Sequence, residues 1–485
     1  MATRAGHDER APLAQGGALG DALLGGAALR VLVALGAAFA TFRFVHDDFG
    51  STLRAREGQL LRDHELRVLG VELPFLLVRW LDDGPWPHLV MNAVGAALFA
   101  WAGAATLRGL GCARGVALTA SLLTLGTGSA CALLRWASGL QQALALALGL
   151  GAFACALGPG WARILAAVAL FTAGLFTKYL TLVSTLPWYF VAALFLGGGS
   201  RPRRSRLVFV GALLGWVAAG AAIAAGTIPG FGRFGGGRLW TNTGLALSTW
   251  VREGLYPALL VLALHVAERR AARADGSTVA GARRHDDPEP TGARRRRSML
   301  AALAALAVAP WLFNGLYFAD YYLVPALLFG AALLVELAPR RGTWWAARAL
   351  APGRWGRGAR GGVAAAVALG LLPYPALTQT LRDTEFNRVE RWLRELRASV
   401  DGARAGAQTR FVPSCGGAYD RASAEELAAY LVVADASDGV SWALGRRTTV
   451  SVAGSDEPGS PGGDLLVLGY CRDAVPRFRV DVPAQ

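Results

Sequence analysis

The sequence predicts an all-α polytopic membrane protein of about eleven transmembrane helices, carrying a small C-terminal α/β unit. Three observations predict it. Apolar runs of about 20 residues recur along the chain, the length that crosses a hydrocarbon core. Only 17% of the residues are charged, against roughly 25% in ordinary soluble domains, and the mean hydropathy is +0.37. Beyond residue 380 the pattern changes to charged helices and short strand-like runs.

The spans are expected near residues 22–42, 86–107, 115–134, 139–157, 162–177, 180–197, 207–227, 254–268, 299–318, 321–338 and 361–378. The polar tail 1–21 precedes the first. "AFA" at 38–40 has the small-residue pattern of a signal cleavage site, but the apolar run is long for a signal peptide and favours an uncleaved helix. Orientation follows from arginines in the connecting segments. "SRPRRSR" at 200–206, the 269–297 segment with its "RRRR", and the 340–360 segment all fall on one side, expected to be cytoplasmic. The net charge of +15 is concentrated in these segments, which fits topology and lipid contact rather than nucleic acid. The other side then holds the first loop (43–85), the turns at Arg135 and Lys178, and the C-terminal unit (381–485). The first loop carries arginines and acids together, and at its length the charge rule weakens.

In the C-terminal unit, "DTEFNRVERWLRELRASV" (383–400) reads as an amphipathic helix. "TRFVPSC", "RRTTVSVAG" and "DLLVLGYC" read as strands, and 423–435 as a second helix. Cys415 and Cys471 can pair there if the compartment is oxidising. Cys112, Cys131 and Cys155 lie in or beside apolar runs as small core residues. No CxxC pair or Cys/His cluster marks a zinc site.

The chemistry-bearing residues lie on the expected outer side. "HDDFG" places Asp47 and Asp48 just after the first span. Adjacent carboxylates there can take a proton from a hydroxyl or hold a divalent cation such as Mg or Mn. A solvated turn after a helix uses Asp equally well. Leu66, Leu69, Leu73, Leu76 and Trp80 form an apolar stripe, divided or kinked by Pro74, which suits a helix lying at the interface. Lys178 is the one lysine of the chain, inside the apolar "TAGLFTKYLTLVSTLPWYF". A charge there either snorkels to the surface or holds an anionic group. Arg135 sits at a comparable span end. Arg54 in the first loop, and Asp320, Tyr321 and Tyr322 in "ADYYLVPAL", are further candidate substrate contacts. The tyrosines also fit an interfacial aromatic belt.

Taken in order, "HDDFGSTLRAREG", "LFTKYLTLVSTLPWYF" and "ADYYLVPAL" resemble the GT-C superfamily of integral-membrane glycosyltransferases, over roughly residues 20–340. The resemblance implies a polyprenyl-phosphate sugar as donor and a glycan, lipid or protein of the cell envelope as acceptor. It implies a bacterial inner-membrane location with the site facing outward. Asp47 or Asp48 would be the base, and Lys178, with Arg135, would contact the donor phosphate. The small C-terminal unit departs from the larger domain of many members. A transporter or lipid flippase, or a non-catalytic assembly protein, would also account for the span count.

Overall fold

The computed structural model describes residues 18–40, 69–70, 73–81, 85–137, 139–196, 201–224, 236–254, 291–313, 320–337, 385–400, 408–415, 418–433, 437–444, 448–452, 465–471 and 477–480. Helix α1 runs Ala18–Ala40 and α2 Leu73–Leu81. Helix α3 runs Pro85–Gly109, α4 Arg114–Leu125, α5 Gly128–Leu134 and α6 Gly139–Leu157. Then come α7, Trp161–Val183, α8, Leu186–Phe195, and α9, Arg201–Ala224. A 3-10 turn at Gly236–Arg238 leads into α10 (239–254). Helix α11 runs Thr291–Leu312. A second 3-10 turn at Asp320–Leu323 opens α12, Val324–Leu337.

Among the described residues, four helices are long and apolar enough to cross a membrane, or five if the bent pair α4–α5 is one span. Three shorter apolar helices, Leu24–Ala38, Thr181–Phe195 and Tyr321–Leu337, stand beside them. Eleven were expected along the whole chain. The expected span 361–378 and most of 254–268 lie outside the described residues. Helix α11 carries Arg294–Arg297 in its first two turns, before the expected span 299–318, of which only residues up to 313 are described. The run 115–134 is not one helix but two, bent by 67°. The long helices expose large apolar side chains, such as Trp216 (79% exposed) and Trp101 (71%), as a hydrocarbon surround would permit.

One apolar core joins the bundle from α1 to α12. Its centre is aromatic: Phe153 meets Tyr189 edge-on at 4.9 Å, and Trp188 meets Phe329 edge-on at 5.3 Å. The bundle has a distinct arginine end. There Arg203 donates to the Gly109 carbonyl, Arg206 donates to the Gly160 carbonyl at 3.0 Å, and Arg296 pairs with Glu336 at 2.6 Å. Arginines from two of the three expected cytoplasmic segments thus share one end. The Cys112 thiol lies at this end too. Burial, with help from Glu336, pushes it up to about 12, which leaves it inert at neutral pH.

The structure describes part of the first-loop stripe. Of the stripe, Leu66 and the side chain of Trp80 lie outside the described residues, and Pro74 stands at the start of a helix. It lies in the first turn of α2, where its missing N–H costs nothing. Phe75 is buried, Leu76 half-buried, and Leu73 and Leu77 are exposed, so the buried face centres on Phe75 rather than on the expected leucines.

The C-terminal unit is α/β. Helix α13, Glu385–Val400, buries Val389, Trp392, Leu393, Leu396 and Val400 on one face. Strand β1, Gln408–Cys415, is central. It pairs in parallel with β3, Thr449–Val452, on one side and with β4, Leu465–Cys471, on the other. Strand β5, Arg477–Val480, runs antiparallel to β4, and the short β2, Ala418–Tyr419, pairs with the end of β1. Helices α14, Arg421–Val433, and α15, Ser437–Leu444, complete it. A disulfide joins Cys415 and Cys471, the ends of β1 and β4. The buried cluster around Trp392, Phe411 and Tyr470 continues into Phe75, Leu89 and Ala137. The unit therefore packs on the bundle at the start of α3 and the α5–α6 turn, the end opposite the arginines.

Candidate functional site

Lys178 lies at this end, and the helix breaks on it. Its backbone is extended (φ −163, ψ 89) within α7, at the end of the apolar stretch Trp161–Tyr179 and just before the apolar stretch Thr181–Phe195. The expected turn between two spans is therefore a kink. The side chain is half-buried, and Nζ stands 5.7 Å from the centroid of the Tyr321 ring. This is cation–π range, where the ring face attracts the ammonium. Tyr321 meets Tyr322 edge-on at 4.6 Å, and Tyr322 stacks on Trp311 at 3.9 Å. Tyr321 also meets Trp136, with ring centroids 5.5 Å apart. Lys178 and Tyr321, distant in sequence, are thus neighbours.

Arg135 is the C-cap of α5, where a cation complements the helix dipole. The next residue, Trp136, is held by Asn92, whose Nδ2 donates to the Leu134 carbonyl (3.1 Å) and the Trp136 carbonyl (2.7 Å). On the other flank of Lys178, Thr181 donates to Gln142 Oε1 at 2.7 Å. Thr177 is fully buried and donates to the Ala173 carbonyl. Gly70 brings the first loop to the same spot. A Cβ on it would lie 2.4 Å from the Thr177 carbonyl oxygen and 2.7 Å from Gln141 Cβ, so only glycine fits that approach.

Asp47, Asp48 and Arg54 lie outside the described residues. So does the side chain of Asp320, whose backbone opens the 3-10 turn. The structure brings Lys178, Tyr321 and Tyr322 together, with Arg135 one residue from the aromatic cluster. Among the described residues, no group of three or more His, Cys, Asp or Glu side chains is placed to hold a metal.

Sequence reasoning passed over Asn92, Trp136, Gln141 and Gln142. The "QQ" pair opening an otherwise apolar span was the available signal. It also passed over a second broken helix. Between α4 and α5 the chain turns at Gly126–Thr127, and Arg30, midway along α1, donates from Nε to the Gly126 carbonyl at 2.7 Å. Glu253 of α10 accepts from the Gly128 amide at 3.1 Å, and Arg252 lies 3.5 Å from its carboxylate. Thr127 caps α5 through its hydroxyl. Arg30 and Glu253 are both buried and interact electrostatically. An ionisable residue inside a span is uncommon enough to be a signal in itself. Comparison with family models, curated proteins and solved structures found no match.

Proposed function

We propose that the protein is a membrane glycosyltransferase that moves a sugar from a polyprenyl-phosphate donor to an extracytoplasmic acceptor. The observation that supports this most is Lys178, held on Tyr321 at a helix break. The first loop approaches that break at Gly70, and the C-terminal unit packs at the same end. In this reading the end faces outward, and the arginine end faces the cytoplasm. The acceptor hydroxyl attacks the anomeric carbon as the bond from that carbon to the phosphate oxygen breaks. Asp47 or Asp48, in the loop that contains Gly70, takes the hydroxyl proton. Polyprenyl phosphate leaves with the bond electrons, and the Lys178 ammonium offsets the charge that develops on it. Arg135 adds positive potential from the end of α5.

A transporter of lipid-linked substrates is a second reading. It is favoured by the broken helix α4–α5 with Arg30 and Glu253 buried at the middle of the bundle, the type of place where transporters bind their cargo. Membranes supplied with labelled polyprenyl-phosphate sugars separate the two. A transferase yields labelled glycan, lipid or protein, and the Asp47→Asn/Asp48→Asn double variant does not. Movement of intact donor across the bilayer without transfer would support the transporter instead.

A further inference from the structure

At the arginine end of the bundle, two helices begin with cations where a helix start favours acids. Helix α7 carries Arg163 in its first turn, and α9 opens on Arg201, Arg203 and Arg204 with Arg206 just behind. Neither first turn holds an acid. Positive charge at these positions opposes the helix dipole. Membrane topology explains why arginines lie on this side, but it does not require them to converge.

They converge on the turn Gly158–Gly160, which joins α6 to α7. Arg206 donates to the Gly160 carbonyl at 3.0 Å. Arg163 Nη1 lies against Gly158, where a Cβ would collide with it. The two guanidinium groups thus share one short turn, and they act on each other as like charges. Arg203, one helical turn before Arg206, donates to the Gly109 carbonyl. Gly109 in turn packs on Leu157 at the foot of the same turn, where a Cβ on it would lie 2.8 Å from Leu157 Cδ1. Among the described residues, none of the three arginines pairs with an acid. A carbonyl takes one of the five N–H donors of a guanidinium, so these bonds orient the cations without neutralising them. Arg163 is exposed, and Arg203 and Arg206 are half-buried, so the cluster is open to a ligand from outside.

The surface beside the cluster is apolar. Trp161 (74% exposed) and Leu165 (68%) on α7, and Phe209 on α9, stand outside the core, on two helices that pack together. An acidic soluble partner would use the cations and leave this apolar wall bare. A phospholipid uses both: its phosphate meets the arginines, its acyl chains follow Leu165 and Phe209, and Trp161 sits at headgroup level.

We propose that Arg163 and Arg206, with Arg203 beside them, bind the phosphate of an anionic phospholipid in the leaflet at this end, with its acyl chains along α7 and α9. The site lies at the opposite end of the bundle from Lys178 and does not depend on the donor reading.

The test uses the full chain in detergent micelles, with bound lipid counted by native mass spectrometry as phosphatidylglycerol or phosphatidylcholine is titrated in. The wild type should bind its first phosphatidylglycerol at least about tenfold more tightly than phosphatidylcholine. Each arginine beside a lipid phosphate is worth about fivefold. Arg163→Gln/Arg206→Gln should therefore bind phosphatidylglycerol roughly 25-fold more weakly and lose the preference. Arg294→Gln/Arg295→Gln removes the same charge from α11 and should keep it. If the first double variant does not fold, Arg163→Gln alone, which leaves the Arg206–Gly160 bond intact, should weaken phosphatidylglycerol about fivefold. Equal wild-type affinity for the two lipids overturns the proposal, as does a preference that survives in the Arg163 variants. An equal loss in the α11 variant would make the effect one of general surface charge and overturns it too. So does displacement of the lipid by glycerol phosphate at equal concentration, which would assign the cations to a free phosphate.

Discussion

At Gly126 the chain stops being helical in mid-bundle, and charges from two other helices close the gap. At Lys178 a helix stops near the end of the bundle, and the break carries its own charge. In the first gap Arg30 takes the carbonyl at the end of α4 and Glu253 takes an amide at the start of α5. Each charge faces the helix terminus of opposite polarity, and Thr127 adds a cap from within. In the second gap the ammonium rests on the Tyr321 ring, and Thr177 and Thr181 flank it along the chain. A gap filled by ions from its own protein is a structural solution. A half-buried ammonium on an aromatic face at a helix break is placed where it can also meet an anionic headgroup.

The comparison can be broken at the first gap. Glu253→Ala removes the acceptor of the Gly128 amide and leaves Arg30 buried without its counter-charge. Breaking a buried pair in this way costs about 3–5 kcal/mol, so thermal unfolding in detergent should show a large loss of stability. Arg30→Met/Glu253→Gln, which removes both charges, should recover much of that loss. Unchanged stability together with lost activity would move the functional site to the middle of the bundle and favour the transporter reading.

The contacts around the second gap predict smaller effects. Gly70→Ala places a methyl against the Thr177 backbone and should destabilise by about 1–3 kcal/mol, lowering transfer because the first loop is pushed off the break. Asn92→Ala frees two buried carbonyls and should cost about 1–3 kcal/mol in the same unfolding assay. Tyr321→Leu removes the ring under Lys178, a contact worth about 0.5–1 kcal/mol, and should weaken donor binding.

The two gaps also show what the sequence could reveal. One charge in a long apolar run marked Lys178, and the kink falls on it, because a lysine interrupts hydropathy where it stands. The Gly126 gap carried only the weaker mark of "GTGS" at 126–129, since membrane helices tolerate glycine and hydroxyl residues. Residues 115–134 hold no charge, and the groups that close the break come from 96 and 125 residues away. Helix α10 starts well before the expected span because Thr241, Asn242, Thr243, Ser248 and Thr249 dilute its hydropathy. Asn242, Ala246, Thr249 and Glu253 nonetheless form one buried face. In the C-terminal unit, α13 was legible because Val389, Trp392, Leu393 and Leu396 repeat at helical spacing. The short strands β2 and β5 were not, since two to four residues carry little period. Gln141 and Gln142 gain meaning only when the fold seats them beside Thr177 and Thr181.

The central claim is that the Lys178 break holds a lipid phosphate. Equilibrium binding of radiolabelled undecaprenyl phosphate to the full chain in nanodiscs tests it directly, with wild type, Lys178→Arg and Lys178→Ala compared at matched thermal stability. Loss of a charge-assisted contact should weaken Lys178→Ala by about 10–100-fold. Lys178→Arg should fall between the two, because it keeps the charge but its planar fork does not fit a space shaped for a single ammonium. Binding by Lys178→Ala equal to that of the wild type would contradict the account.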